Sequence, residues 1–139
     1  MLNGILKDLS GAKAKILPQQ IAIHPVYAYV KKDNNELRLA LKWIFNALFL
    51  AERYNINAQN LNFYASNDNP EIRNLLGDEP QMWENLKLKP RWLKETISLF
   101  GNYKDIYDKN LGEDSDYNLK RSEGRLVKDG GTIYPIPFI

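Results

Sequence analysis

Cysteine is missing from this 139-residue chain, which excludes disulfide bridges, thiolate metal sites and cysteine nucleophiles. The single histidine, His24, precedes Pro25, and nothing nearby marks a nucleophile–base pair. A glycine-rich phosphate loop is missing too, because no Lys-Ser/Thr pair follows Gly130-Gly131. We therefore predict no catalytic residue and no cofactor, and we expect the chain not to be an enzyme.

Acidic residues cluster once, at Glu113, Asp114 and Asp116. This group lacks the alternating ligands, the central glycine and the terminal glutamate of a calcium loop. A solvated turn, in which Asp116 caps the following helix, explains the group without a cation. No metal site is predicted, and no two carboxylates stand out as a catalytic pair, although catalysis by such a pair stays open.

Long apolar runs are also missing. The longest candidate, Leu37 to Ala51, carries Arg38, Lys42 and Asn46 and is shorter than the roughly 20 residues that a membrane span needs. The first eight residues lack the basic and apolar regions of a signal peptide. Together with the missing cysteine, these features predict a soluble cytoplasmic protein that has no contact with a membrane.

Helical patterns dominate what is present. Asp33-Asn34-Asn35 offer N-cap side chains for a long helix, Glu36–Tyr54, which is apolar nearly all round and is therefore expected at the centre of a bundle or an assembly. Residues 21–30 have strand character, but Pro25 favours an extended lead-in over a sheet. The other predicted helices are Leu2–Leu9, short ones that begin at Pro70 and Pro80, Arg91–Leu111 with a weak point at Gly101, and Tyr117–Lys128.

These elements predict an all-α fold, a compact bundle of about five helices with a non-helical C-terminal arm. Residues 1–131 are expected to form a single helical domain, and residues 132–139 an apolar tail. Pro135 and Pro137 favour an extended tail, and its apolar side chains must be covered. The tail is expected to pack either on its own bundle, which is slightly favoured, or on a neighbouring subunit.

Basic residues cluster although the net charge is only +2. One cluster surrounds Trp92 and the other occupies one side of the last predicted helix, at spacings of three and four residues. Such rows can contact phosphates, and a neighbouring aromatic ring can stack on a base, although solvated helix faces look the same. The predicted nucleic-acid-binding residues are Lys87, Lys89, Arg91, Lys94, Lys120, Arg121, Arg125 and Lys128.

The two long helices, Glu36–Tyr54 and Arg91–Leu111, together with the basic rows Lys87–Lys94 and Arg121–Lys128, resemble the small subunit of type I CRISPR–Cas surveillance complexes (Cascade). The resemblance implies a non-catalytic subunit, present in several copies, that holds guide RNA and target DNA through backbone contacts. Its partners would be other protein subunits, RNA and DNA. The alternative is a protein-interaction module or a viral assembly protein that self-associates without binding nucleic acid.

Overall fold

The computed structural model describes residues 27–64, 66–77 and 80–138. The predicted helix Leu2–Leu9 and most of the extended segment 21–30 lie outside these ranges. The described residues form five α-helices and two short 3-10 helices, Leu61–Tyr64 and Val127–Asp129. The α-helices are α1 (Asn35–Arg53), α2 (Pro70–Leu76), α3 (Pro80–Asn85), α4 (Trp92–Phe100) and α5 (Tyr103–Asn110).

The all-α prediction is confirmed for this part of the chain. Its only extended pairing is an isolated bridge between Leu126 and Ile133, so the described residues contain no β-strand. Among these residues, none of the helices combines the length and the apolar character that crossing a membrane requires.

Helix α1 begins and ends within one residue of the predicted bounds. The side chain of Asn34 accepts a hydrogen bond from the backbone N–H of Leu37 at 3.0 Å, which satisfies one free donor of the first turn. The second half of α1 enters the core, where Ala47, Leu50 and Ala51 are fully buried. The first five residues of α1 are all exposed, so the helix extends beyond the core that it supports.

The short helix α2 follows the sequence signals closely. Asn69 caps it, Pro70 occupies its first turn, and Gly77 ends it with a left-handed φ of 90°. Helix α3 then brings Trp83 into the core at 1% exposure, with the indole N–H donating to the carbonyl of Asn74 at 3.2 Å. A proline start and a glycine stop were sufficient here to predict a local structure.

The single helix predicted over Arg91–Leu111 is wrong, because the chain breaks at Gly101. Gly101 has a φ of 76° and a ψ of −165°, which ends α4. The buried Asn102 then accepts hydrogen bonds from the N–H groups of Lys104 and Asp105, while the Asp105 carboxylate accepts from the N–H of Asn102. This reciprocal capping starts α5 as a separate helix.

The helix predicted over Tyr117–Lys128 is also wrong. Its residues form turns and loops, and only Val127–Asp129 forms a 3-10 turn. The backbone N–H of Ile133 donates to Arg125 at 3.0 Å, and the N–H of Val127 donates to Ile133 at 2.9 Å. These hydrogen bonds fold the segment back on itself and replace the helical pattern.

The C-terminal arm, residues 132–138, packs on the helices of its own chain. The ring of Phe138 lies 5.3 Å from that of Trp43 and 5.2 Å from that of Trp83, and Phe138 is 1% exposed. Asn46 on α1 donates to the carbonyl of Ile136 at 2.9 Å and accepts from its N–H at 2.7 Å. The arm therefore completes the core, and the predicted domain boundary at residue 131 stays a prediction.

Candidate functional site

A charged cluster near the end of α1 is the first candidate site. Glu52 and Arg121 form an ion pair of 2.9 Å, with their side chains only 8% and 6% exposed. The Arg121 guanidinium lies over two rings of α5, 5.2 Å from the centroid of Tyr103 and 5.5 Å from that of Tyr107. Arg121 also donates to the carbonyl of Gly124.

Charges of both signs border a cavity of about 340 Å³ beside this pair. Lys104 and Asp108 form an ion pair across one turn of α5, which raises the pKa of the Lys104 ammonium. Burial raises the pKa of Tyr107 above its ordinary value, although Arg121 acts in the opposite direction. Near neutral pH these ammonium and phenol groups therefore keep their protons.

The side chains of Glu52 and Arg121 connect two parts of the same chain. Arg121 directs its donors at Glu52 and at Gly124, so the guanidinium is engaged within the chain. One carboxylate oxygen of Glu52, Oε2, is buried without a hydrogen-bond partner among the described residues. Arg121 therefore joins the irregular segment after α5 to the buried end of α1.

An apolar groove along the exposed part of α1 is the second candidate site. We call it the α1 groove; it measures about 370 Å³ and is lined by Ala28, Val30, Arg38, Leu41, Lys42, Phe45, Phe49 and Tyr103. The five lining residues of α1 are one turn from one another or adjacent in the sequence, and this spacing places them on one face of the helix. The rings of Phe45 and Phe49 stack with their centroids 6.5 Å apart.

Tyr103 connects the α1 groove with the charged cluster. One side of its ring meets Phe49 edge-on at 4.6 Å, and the Arg121 guanidinium lies 5.2 Å from its centroid. The ion pair of Glu52 and Arg121 therefore fixes the ring that closes one end of the groove. Neither Glu52 nor Tyr103 was singled out from the sequence. The available signal was a glutamate inside the mostly apolar second half of the predicted helix Glu36–Tyr54.

The basic residues predicted to bind nucleic acid around Trp92 have different surroundings in the structure. Lys87 forms an exposed ion pair of 2.7 Å with Glu36, at the start of α1. Lys89 and Arg91 are exposed, and Arg91 has a left-handed φ of 58° just before α4. Lys94 is half-buried in the first turn of α4.

The second basic row is not a helical stripe. Arg121 is buried in its ion pair, whereas Arg125 is exposed and donates to the backbone carbonyl of Ser122. Lys128 pairs with Asp129 at 3.2 Å, and Lys120 is exposed. Contact of these eight residues with nucleic acid stays an untested prediction.

Comparisons with known proteins indicate a class of protein different from the predicted nucleic-acid-binding subunit. No protein-family model matches the chain. Over 88% of its length the chain is 32% identical to YhdW of Escherichia coli, provisionally named as an amino-acid ABC transporter-binding protein. It is 35% identical over 93% of its length to BztA of Rhodobacter capsulatus, a glutamate/glutamine/aspartate/asparagine-binding protein. The matches cover 36% and 38% of these proteins, so the chain spans little more than a third of the curated relatives it matches.

A solved structure agrees with these relatives. The chain is similar to an ABC transporter periplasmic binding protein from Brucella ovis with glutathione bound, at a TM-score of 0.72 and 31% identity. The similarity covers 78% of this chain and 34% of that protein. Both the sequence and the backbone are therefore similar to one part of a larger binding protein.

These findings overturn the predicted identity. The resemblance to the Cascade small subunit is wrong, because the similar proteins are binding proteins of ABC transporters. The nucleoprotein function and the predicted RNA, DNA and subunit partners are wrong with it. The alternative, a protein-interaction or viral assembly module, is not supported by these findings either. The cytoplasmic location is corrected as well, since the similar solved structure is a periplasmic protein. Rows of surface lysines and arginines recur on proteins of many functions and did not distinguish these classes.

Proposed function

We propose that this chain serves amino-acid uptake through an ABC transporter, as the helical part of a periplasmic substrate-binding protein. The observation that carries the proposal is identity of 32–35% to two such proteins over 88–93% of the chain. The similarity of the backbone to a periplasmic binding protein of an ABC transporter agrees with it. The proposed role is non-enzymatic, because the similar proteins are named for binding and not for catalysis.

Within such a protein the described residues act as a scaffold. The C-terminal arm joins the middle of α1 to α3, and Arg121 joins the end of α1 to α5 through its ion pair with Glu52 and its contacts with Tyr103 and Tyr107. The buried charges of Glu52 and Arg121 are bonded within the chain. We therefore assign direct contact with the amino acid to the part of the binding protein that lies outside the match. The substrates considered are those that the names of the similar proteins give, acidic amino acids, their amides and glutathione.

A replacement experiment tests this function. The whole chain is placed in BztA instead of the 130 residues that it matches, and binding of glutamate, glutamine, aspartate and asparagine is measured by titration calorimetry. We expect the hybrid to bind these amino acids with dissociation constants within about tenfold of BztA, since the ligand contacts are unchanged.

Two controls make the result interpretable. BztA without the matched stretch is expected to lose both its cooperative unfolding and its binding. Glutathione, titrated into the same hybrid, separates the ligand of the Brucella protein from the amino acids of BztA. A folded hybrid that binds none of these compounds would contradict the proposed function, and so would a hybrid that does not fold.

A further inference from the structure

The α1 groove exposes apolar surface of a kind that proteins usually cover. Phe45 is 40% exposed, and Leu37 and Leu39, in the preceding turns, are 45% and 42% exposed. Leu37 and Leu39 lie on the part of α1 that extends beyond the core, whereas Phe45 lies near the middle of the helix, one turn after the half-buried Leu41. Phe45 lines the groove together with Leu41 and Phe49. An apolar groove of this kind is typical of an interaction surface, whereas single exposed leucines are not.

The rim of the groove is basic. Arg38 and Lys42 lie one turn apart on α1, and neither forms an ion pair with a carboxylate in the described part of the chain. A surface that covers the groove would therefore be apolar in its centre and acidic at its border. A second copy of this chain fits poorly, because pairing groove to groove would bring the two basic rims together.

The path of the chain and the comparisons indicate where the covering surface comes from. Ala28 and Val30 line the groove, so the backbone that precedes α1 already runs along it. Almost two thirds of the length of each relative lies outside the match, and the same is true of the protein in the solved structure. A helical part that belongs to a larger protein needs one face for the remainder, and the α1 groove is an open apolar surface with a basic rim in the described part of the chain.

We infer that the α1 groove is the docking surface for the rest of the substrate-binding protein, through an apolar face bordered by acidic side chains. The inference rests on the proposed function, because only that function supplies the remaining part. Phe45 and Phe49 would be the central contacts, and Arg38 and Lys42 the charged border. Tyr103, fixed by Arg121, would close the end of the interface.

Thiol labelling tests the inference directly, because the chain has no cysteine of its own. Phe45→Cys places a thiol in the groove, and Phe63→Cys places a matched thiol on the 3-10 helix, at a residue that is 84% exposed. The rate of maleimide labelling at each thiol is measured by mass spectrometry in the full chain and in the BztA hybrid. We expect labelling of Phe45→Cys to slow by at least about tenfold in the hybrid, since covered sites react only after opening, and Phe63→Cys to label equally in both.

The outcomes separate this inference from the proposed function. A hybrid that binds amino acids but labels Phe45→Cys as fast as the chain does would overturn the docking surface alone. A hybrid that folds without binding amino acids would remove the proposed function and the docking surface together. Protection of Phe45→Cys in the chain by itself, lost on dilution, would assign the groove to a second copy and overturn the inference.

Discussion

Glu52 and Arg121, 69 positions apart in the sequence, form an ion pair that is almost inaccessible to solvent. The pair joins α1 to the segment after α5, in which the described residues form mainly turns and one 3-10 helix, Val127–Asp129. Removing one partner of such a pair leaves an unpaired buried charge, which costs more than the intact pair contributes. The position of the segment around Arg121 therefore depends on this contact.

Arg121→Ala is expected to lower the free energy of unfolding by about 3–5 kcal/mol, because Glu52 would keep a buried charge without a partner. Urea denaturation followed by tryptophan fluorescence measures the change. Arg125→Ala is the matched control, since Arg125 is exposed and bonds only a neighbouring carbonyl. Equal stability of the two variants would mean that the pair of Glu52 and Arg121 is solvated in solution.

Asn46→Ala is expected to loosen the C-terminal arm. The variant loses both hydrogen bonds to the backbone of Ile136, at a cost of about 0.5–1.5 kcal/mol for each bond, since Ile136 is itself exposed. Hydrogen exchange at residues 134–138 should accelerate, and so should proteolysis near Tyr134. Asn110→Ala is the control, because the Asn110 side chain is exposed and bonds only within its own helix. Unchanged exchange of the arm would show that Phe138 alone holds it.

Local signals in the sequence predicted the helices that depend on them. The N-cap at Asn34, Pro70 at the start of α2 and the left-handed Gly77 at its end act within a few residues, so they are visible without tertiary contacts. The break at Gly101 was visible only as a weak point. It becomes a helix end because Asn102 caps α5 and donates to the carbonyl of Ile56, 46 positions away.

The candidate sites depended on distant contacts that spacing does not reveal. Arg121, Arg125 and Lys128 have helical spacing, but hydrogen bonds from Thr132 and Ile133 back to Glu123 and Arg125 determine the backbone there. A buried arginine and an exposed one look alike in a sequence. The similarity to binding proteins about two and a half times as long is detected by sequence alignment and is not carried by any short motif.

Gly131→Ala is expected to destabilise the fold that replaces the predicted last helix. A Cβ atom on Gly131 would lie 2.0 Å from the carbonyl oxygen of Arg125, and backbone atoms cannot move away easily. Forcing such a contact typically costs about 1–3 kcal/mol. Gly124→Ala is the control, since a Cβ atom there meets nothing within 4 Å. Thermal unfolding of the two variants gives the comparison, and a neutral Gly131→Ala would contradict the backbone path of residues 123–133.

Tyr54→Phe is expected to change how stability depends on pH at the alkaline end. Burial, followed by the hydrogen bond that Tyr54 donates to Glu71, raises the pKa of the Tyr54 phenol above its ordinary value of 10.0. The unfolded chain then loses this proton at lower pH than the folded chain does, so the contribution of Tyr54 is complete below pH 10 and is lost above it.

Near pH 8, Tyr54→Phe should therefore unfold more easily than the wild type by about 1 kcal/mol, the usual net contribution of one hydrogen bond. The difference in stability between the two proteins should narrow as the pH rises through 10 and above. Deprotonation of Tyr54 removes from the wild type the hydrogen bond to Glu71 that the variant lacks. Urea denaturation at a series of pH values measures it. Tyr134→Phe is the control, since Tyr134 is 68% exposed and should give no such trend. A difference that stays constant across the series would show that the phenol of Tyr54 titrates normally and that its contact with Glu71 does not persist in solution.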